Sequence, residues 1–253
     1  MTPRACSVRG GVWLLLAVAA PAAHAGLDLQ LAEEHSRGTY GEAAPTRIVS
    51  RTAMLRWRGE LWMAQLELPW LEVRNDSGDA ALPERSGRGG STVEHGWGDA
   101  WLRLGATLVE AAAGRPGVDL VARFKAANGS AARGLGSGAR DWALQVEVMQ
   151  RFGGVTVFGE LGRRRTGDLP GARPLHDPWF AELGASLQPL PGLDIGLYHD
   201  ARERIGRLGP LHETTAYAAW RGGDHRVQLH ATRGWTLASA DHALGLTWRL
   251  RWP

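Results

Sequence analysis

Near its end the chain reads HALGLTWRLRW over residues 242–252, a run that alternates large apolar residues with small or charged ones. Successive side chains of a β-strand point to opposite faces. Leucine and tryptophan would therefore occupy one face of this segment, and glycine, threonine and arginine the other. A period of two that is kept for this long predicts a β-strand with one apolar face.

The same alternation recurs through the rest of the chain. In one segment Trp62, Leu66 and Trp70 share a face, while Gln65 and Glu67 fall on the other. No long segment has the 3.6-residue period of an amphipathic helix. The alternating segments predict about twelve strands, at 27–37, 46–57, 61–73, 97–110, 118–127, 141–152, 155–162, 178–188, 193–202, 213–220, 225–234 and 241–252.

The connections between these segments alternate in length. Short turns lie around Gly59 and at 113–117, 153–154, 189–192 and 222–224, whereas longer polar connections occupy 38–45, 74–96, 128–140, 163–177 and 203–212. Short turns at one end and long loops at the other are typical of outer-membrane barrels, in which the short turns are periplasmic. The sequence therefore predicts an all-β fold, a transmembrane antiparallel up-and-down β-barrel of about twelve strands with both termini on the periplasmic side.

Alternation alone does not separate this fold from a soluble sandwich or lipocalin-like barrel, in which the apolar face would point inward. The 253 residues have a mean hydropathy of −0.23 and hold no apolar run of the roughly 20 residues that a membrane helix needs. Many of the 12 Trp lie near predicted strand ends, where their rings would reach the headgroup level. Loop asymmetry and these tryptophans favour the membrane barrel, with outer-membrane lipid around it.

The first 25 residues have the features of a cleaved signal peptide. Arg4 and Arg9 give a basic start, an apolar run follows, and Ala23-His24-Ala25 is a small-x-small cleavage signature. We therefore expect residues 26–253 to form the barrel in the cell outer membrane. The only cysteine, Cys6, would be removed with the signal, so the mature chain would have no disulfide or thiol chemistry.

The polar face of the predicted strands would line the lumen. Twelve strands lie between the eight that fill their own interior and the sixteen that leave an open channel, so a narrow passage for a small-molecule solute is expected. A lumen closed by its side chains or by an inward-folded 74–96 loop is the alternative. The lumen and constriction candidates are Asp99, Arg103, Asp119, Arg123, Lys125, Glu147 and Arg249.

The other motifs in the sequence do not indicate a catalytic, metal or nucleotide site. The glycine-rich 134–138 stretch precedes a β-patterned segment rather than a helix, so it predicts a loop and not a phosphate site. The histidines lack metal-ligand spacing, and no metal or cofactor is expected. A formal charge of +3 gives little support for nucleic-acid binding. A lipid-modifying enzyme would need adjacent Ser and His on the lipid-facing wall; Ser186 faces inward here, whereas His199 and His242 face outward.

A second functional alternative is a structural barrel without transport. Its outer loops would hold lipopolysaccharide phosphates through five arginines: Arg163, Arg164, Arg165, Arg204 and Arg207.

The closing segment also suggests a partner. Outer-membrane barrels end in such a strand, with an aromatic residue that the barrel-assembly machinery reads; here that residue is Trp252, although Pro253 follows it.

One stretch resembles a known family. Gly96-Trp97-Gly98-Asp99 opens a strand as Gly-Leu-Gly-Asp does in the outer-membrane transporters of the MetA pathway of phenol degradation. Lys125 to Gly129 stands where that family has Lys-x-Pro-Thr-Gly, without the Pro-Thr pair. Leu135 to Gly138, Asp141 and the strand at 159–162 are similar to its later motifs. The resemblance covers roughly 90–170 and implies an outer-membrane barrel that passes small, hydrophobic or aromatic molecules.

The first testable prediction concerns processing. Signal peptidase should cleave after Ala25, because the small side chains at Ala23 and Ala25 fit its cleavage site. Mass spectrometry of the protein from an outer-membrane fraction should find Gly26 at its N-terminus. Replacing Ala25 with Lys should leave the uncleaved precursor, and an outer-membrane protein that still begins with residues 1–25 would contradict the prediction.

Overall fold

The computed structural model describes residues 26–40, 44–75, 92–167, 175–205 and 209–252, so the expected signal peptide lies outside the described residues. The described part is built almost entirely of strands, and none of its helices is long and apolar enough to cross a membrane. The strands are β1 Gly26–Gly38, β2 Thr46–Arg58, β3 Trp62–Asn75, β4 Thr92–Trp97, β5 Trp101–Val109, β6 Gly117–Lys125, β7 Asp141–Phe152, β8 Val155–Arg165, β9 Trp179–Leu190, β10 Leu193–Arg202, β11 Leu211–Gly222, β12 His225–Gly234 and β13 His242–Trp252.

These strands form one closed antiparallel sheet. β1 pairs with β2 on one side and with β13 on the other, which joins the two ends of the sheet. β4 and β5 both pair with β3 and together take the place of one barrel strand. The predicted twelve-stranded up-and-down barrel is therefore confirmed. Its short connections lie at the end where β1 begins and β13 ends, and its longer ones at the other end.

The outer surface of the barrel is apolar. Leu183, Leu197, Leu229 and Leu244 are 67%, 54%, 62% and 63% exposed, and every strand carries exposed large apolar residues of this kind. Soluble monomers rarely expose contiguous apolar patches beyond about 300–600 Å². An apolar belt around the whole barrel is a lipid-contacting surface, so the outward assignment of this face is confirmed.

Exposed tryptophans lie at both ends of the belt. Trp97 and Trp142 point outward near the long loops, and Trp62 and Trp220 point outward near the short turns. Indole rings prefer the headgroup level because they combine an apolar body with a polar N–H. Trp101 is different, because it begins β5 on the inward-facing parity and lies in the lumen.

The fourth predicted strand, 97–110, is corrected by the structure. Residues 98–100 are not strand, and the chain forms β4 before them and β5 after them. The interruption follows from Asp99, whose carboxylate leaves the wall to accept backbone N–H groups of Gly129 and Ser137 at 2.8 and 2.9 Å. A continuous strand would hold Asp99 in the ladder and away from these donors.

The edge of β4 that faces away from β3 is covered by the following loop. Arg133 donates to the Glu94 carboxylate at 2.7 Å and to the backbone carbonyl of His95. Leu135 is almost fully buried and lies against Gly96, whose φ of 151° suits glycine. The loop thus shields a short strand edge, which would otherwise expose unpaired backbone groups.

Four rings inside the barrel lie across glycines of the neighbouring strand. Phe158 is directly opposite Gly184, Phe180 opposite Gly162, Tyr217 opposite Gly196 and His230 opposite Gly245. A Cβ placed on any of these glycines would come within 2.6 Å of the ring. The missing side chains let the rings lie flat on the wall, which keeps volume free in the lumen.

We predict that Gly196→Val destabilises the barrel by about 1–3 kcal/mol, because the new side chain would push the Tyr217 ring off the wall. The midpoint of thermal unfolding, read from the heat-dependent gel mobility of the folded barrel, measures the loss. Gly222→Val is the matched control, since nothing lies within 4 Å of its Cβ position. Equal midpoints for the two variants would contradict the prediction.

Candidate functional site: the lumen

A row of carboxylates crosses the lumen wall on six consecutive strands, β6 to β11. Each member is the direct register partner of the next. The members of this acidic row are Asp119, Glu147, Glu160, Glu182, Asp200 and Glu213. Directly opposite residues have Cα atoms about 4.5–5.5 Å apart, so the row is continuous around half of the barrel.

The acidic row also climbs along the barrel axis. Asp119 lies near the short-turn end of β6, whereas Glu213 lies near the long-loop end of β11. Strands of such barrels tilt by about 35–45°, so a line drawn perpendicular to them rises as it goes around. The row is therefore an oblique path of carboxylates from the periplasmic end of the lumen to its outer end.

Part of this row is held by bonds across the middle of the lumen wall. Arg103 on β5 reaches over β6 and forms an ion pair with Glu147 on β7 at 2.5 Å. The side-chain amide of Gln145 donates to Glu147 at 2.6 Å and to Glu160 at 2.7 Å. These contacts fix two carboxylates and one guanidinium side by side, which makes this a polar and cross-linked point of the lumen wall.

Cavities lie on both sides of this point. One of about 420 Å³ reaches toward the periplasmic end, where Glu110 and Asp119 line it. Another of about 400 Å³ reaches toward the outer end, where Asp200 and Glu213 line it. Glu160 lines both cavities. These two cavities, the inner and the outer chamber, therefore meet at Glu160, and a third cavity of about 330 Å³ lies against Arg103, Asp119 and Glu147 from the periplasmic side.

The wall of the outer chamber has an aromatic and cationic part. The guanidinium groups of Arg123 and Arg164 lie 5.0 and 5.6 Å from the ring centroid of Trp101. Cations at this distance over an indole face are attracted to its electron density. These two guanidinium groups thus hold the Trp101 ring in a fixed position on the inner wall.

Lys125 forms a buried ion-pair cluster at the outer end of the barrel wall. Its ammonium group lies 2.7 Å from a carboxylate oxygen of Asp141 and 3.5 Å from one of Asp99. Arg164 donates to the same oxygen of Asp141, and Lys125 also donates to the Ser137 hydroxyl. The Asp141 side chain is fully buried, so this cluster links strand ends and loop rather than lining the open lumen.

The glycines around Asp99 explain the motif noted in the sequence. A Cβ at Gly136 would lie 2.6 Å from an Asp99 carboxylate oxygen, and one at Gly129 would lie 2.9 Å from the same oxygen. Only glycine lets both backbone segments approach the carboxylate this closely. Gly129 and Gly136 therefore allow the loop to pack onto Asp99, in agreement with the predicted loop.

The structure separates the seven candidate residues into three groups. Arg103, Asp119, Arg123 and Glu147 face the lumen, Asp119 and Glu147 at the inner chamber and Arg123 at the outer one. The pair Asp99 and Lys125 is buried in the ion-pair cluster described above. Arg249 faces the lumen near the periplasmic end of β13, directly opposite an arginine of β12. A role in transport stays a prediction for all seven.

The seven sequence-based candidates leave out other lumen residues, among them Glu160, Glu182, Asp200, Glu213 and Trp101, all of which occupy inward positions of their strands. Strand parity could have placed each of them, but the alignment of the six acids across strands depends on register, which the sequence does not show.

Among the described residues outside the strands, Tyr40 and Glu203 have shifted pKa values. Burial raises the pKa of the Tyr40 hydroxyl to about 12. The exposed Glu203 carboxylate accepts the backbone N–H of Trp179 at 3.0 Å and lies 3.1 Å from the His176 ring; these two contacts lower its pKa. No group of three or more His, Asp, Glu or Cys side chains among the described residues is placed to hold a metal ion.

Several solved structures share this architecture. The COG4313 outer membrane channel from Pseudomonas putida F1 matches with a TM-score of 0.64 and 15% identity, over 90% of this chain and 95% of that one. The NanC porin matches with a TM-score of 0.59 and 7% identity, and the KdgM porin with 0.58 and 5%; both alignments cover 88% of this chain and 98% of the porin. No protein-family model and no curated protein sequence matches the chain.

These likenesses show the fold, which is that of outer-membrane channels and porins. The apolar belt and its tryptophans agree with this fold, because both are needed where strands cross lipid. The protein is an outer-membrane β-barrel.

We predict that Lys125→Met lowers the free energy of unfolding by about 3–5 kcal/mol, because it removes the ammonium group between two buried carboxylates and, among the described residues, leaves Asp99 without an ion-pair partner and Asp141 with Arg164 alone. Unfolding of the barrel in urea, followed by tryptophan fluorescence in lipid vesicles, measures the change. In Arg165→Gln, which removes an exposed partner of Asp177, the loss should stay within about 0.2–1 kcal/mol. A Lys125→Met barrel as stable as this control would contradict the buried cluster.

Proposed function

We propose that the protein is a passive outer-membrane channel for small solutes, with its constriction at Arg103, Glu147 and Glu160. The observation that carries this proposal is the pair of chambers that meet at Glu160 from opposite ends of the lumen. Ordered polar side chains at a narrow point discriminate among solutes by size and charge. The fold shared with channels and porins supports this function.

The lining of the lumen suggests the class of solute. Rings of Phe158, Phe180, Tyr198 and Tyr217 lie on the inner wall, among the carboxylates and arginines. We infer a small solute that combines an aromatic or apolar body with a polar group. This agrees with the family of the MetA pathway of phenol degradation, to which we propose that the chain belongs on the motifs around Asp99 and Lys125.

The proposed partners outside the barrel are lipopolysaccharide and the barrel-assembly machinery. Arg163 and Arg165 are exposed at the outer end of β8, and Arg163 lies 5.5 Å from the Trp179 ring centroid. These positions suit contact with lipid phosphates and support the alternative of a surface-interacting barrel. Arg164 belongs to another environment, because its side chain turns inward to Asp141. Arg207 lies outside the described residues.

We propose no enzymatic activity. On the outer wall, His199 lies 2.9 Å from the Thr214 hydroxyl and 3.4 Å from the His212 ring. In the described part of the chain, no serine hydroxyl is hydrogen-bonded to a histidine ring. Acyl transfer by a lipid-modifying barrel would need such a nucleophile and base.

We predict that the wild-type protein forms ion-conducting pores in planar lipid bilayers, and that Arg103→Ala/Glu147→Ala raises their conductance. The double change removes both side chains of the 2.5 Å ion pair and so widens the narrow point without leaving a charge unpaired. Arg151→Ala, at the exposed end of β7 where the side chain bonds to the Gly153 carbonyl of the turn, should conduct like the wild type.

An unchanged conductance in the double variant would place the constriction elsewhere. The middle of the predicted 74–96 loop, residues 76–91, lies outside the described residues. Absence of conductance both in the intact protein and after deletion of 76–91 would contradict the channel function itself.

A further inference from the structure

A cluster of arginines lies at the periplasmic end of the lumen, on the half of the barrel away from the acidic row. Its members come from β2, β11, β12 and β13, near the ends that meet the short turns. This arginine cluster consists of Arg56, Arg58, Arg221, Arg226, Arg249 and Arg251.

The register brings three of these arginines side by side. Arg221 on β11 is the direct partner of Arg226 on β12, which is the direct partner of Arg249 on β13. Like charges that face each other directly across strands destabilise a sheet. Such an arrangement therefore calls for a compensating negative charge.

The carboxylates nearby compensate only part of this charge. Asp28 is 3.1 Å from the Arg251 guanidinium and 4.0 Å from that of Arg58. Asp194 is 3.5 Å from Arg221. Among the described residues, these two carboxylates pair with three of the six arginines, and Arg56 donates to the Gln65 amide oxygen.

The centre of the cluster is the part without a partner. Arg226 and Arg249 form no hydrogen bond or ion pair with side chains among the described residues, and the Nε of Arg226 is buried without an acceptor. Elsewhere in the lumen Arg103 and Arg164 each have a carboxylate partner, although their Nε atoms are likewise buried without an acceptor.

We propose that the arginine cluster is a binding site for a small soluble anion, with a carboxylate or phosphate group held between Arg226 and Arg249. The planar guanidinium fork matches the oxygens of both groups and can bind them through two parallel hydrogen bonds. The side chains of Arg58, Arg221 and Arg251 are about half exposed, so the site is open to the periplasmic mouth.

This inference deepens the proposed channel function, on which it rests for the route of the solute. The polar part of the solute would then be an anionic group, which binds at the periplasmic mouth of the lumen. Because the arginines occupy inward positions of their strands, their partner would come from the aqueous lumen and not from the lipid around the barrel.

Inorganic phosphate is the probe for the test. A ligand that binds only the folded barrel raises its unfolding midpoint, and the shift grows with the ratio of the ligand concentration to its Kd. Phosphate in place of chloride at equal ionic strength should raise the midpoint of the purified barrel in a zwitterionic detergent, and Arg226→Gln/Arg249→Gln should lose most of that shift. Arg151→Gln, which removes a positive charge from the end of β7 at the same mouth of the barrel, should keep the shift.

Phosphate also stabilises proteins by exclusion from their surface, so the difference between the two variants is the decisive quantity. Equal shifts in both variants, or no shift in the wild type, would overturn the site. If the double variant does not fold, Arg249→Gln alone should show a smaller loss of the same kind, and an unreduced shift there would also overturn it.

Conductance in planar bilayers separates this inference from the channel function. A barrel that binds phosphate through these arginines but never conducts would retain the site and lose the proposed function. A barrel that conducts while Arg226→Gln/Arg249→Gln leaves the phosphate shift unchanged would retain the function and lose the site.

Discussion

The closed backbone ladder is the constraint on which the rest of this structure depends. Lipid offers no hydrogen-bond partner, so each N–H and C=O of a strand that crosses it must be paired within the protein. The pairing of β1 with β13 meets this requirement by removing the two sheet edges. Closure then fixes an inside and an outside, and the period of two assigns each side chain to lipid or lumen. The exposed leucines and the inward acids are two results of this one constraint.

The charged side chains of the lumen need partners, and these partners must leave part of the lumen volume free. Near the outer end this is achieved by compact pairing, since Lys125, Asp141 and Arg164 neutralise one another where no water reaches the Asp141 side chain. In the middle, Arg103 and Gln145 hold the carboxylates of Glu147 and Glu160. Rings that lie on glycines keep the remaining volume free. Ordered polar groups around open chambers are what a selective passage requires.

Alternation and loop lengths were sufficient to predict the fold, because both are local properties of the sequence. The interruption at Asp99 could not be predicted in this way, since it depends on N–H donors that lie about thirty and forty positions further along the chain, at Gly129 and Ser137. The sequence analysis assigned Lys125 to the lumen because its burial, too, depends on distant parts of the chain. Its parity is inward, but the loop that buries it is brought there by tertiary contacts. Asp200 and Glu213 joined the candidate site only when register aligned them with Glu182.

The two kinds of charge are separated around the wall and along the axis. The acidic row reaches the outer end on β9 to β11, whereas the arginine cluster occupies the inner end on β11, β12, β13 and β2. In the proposed channel, a polar solute that enters from outside would first meet carboxylates together with Arg123 and Arg164, and last the guanidinium groups of Arg226 and Arg249. A solute with charges of both signs could remain in contact with a complementary group along this whole path. Such a lumen would therefore distinguish solutes by the arrangement of their charges as well as by their size.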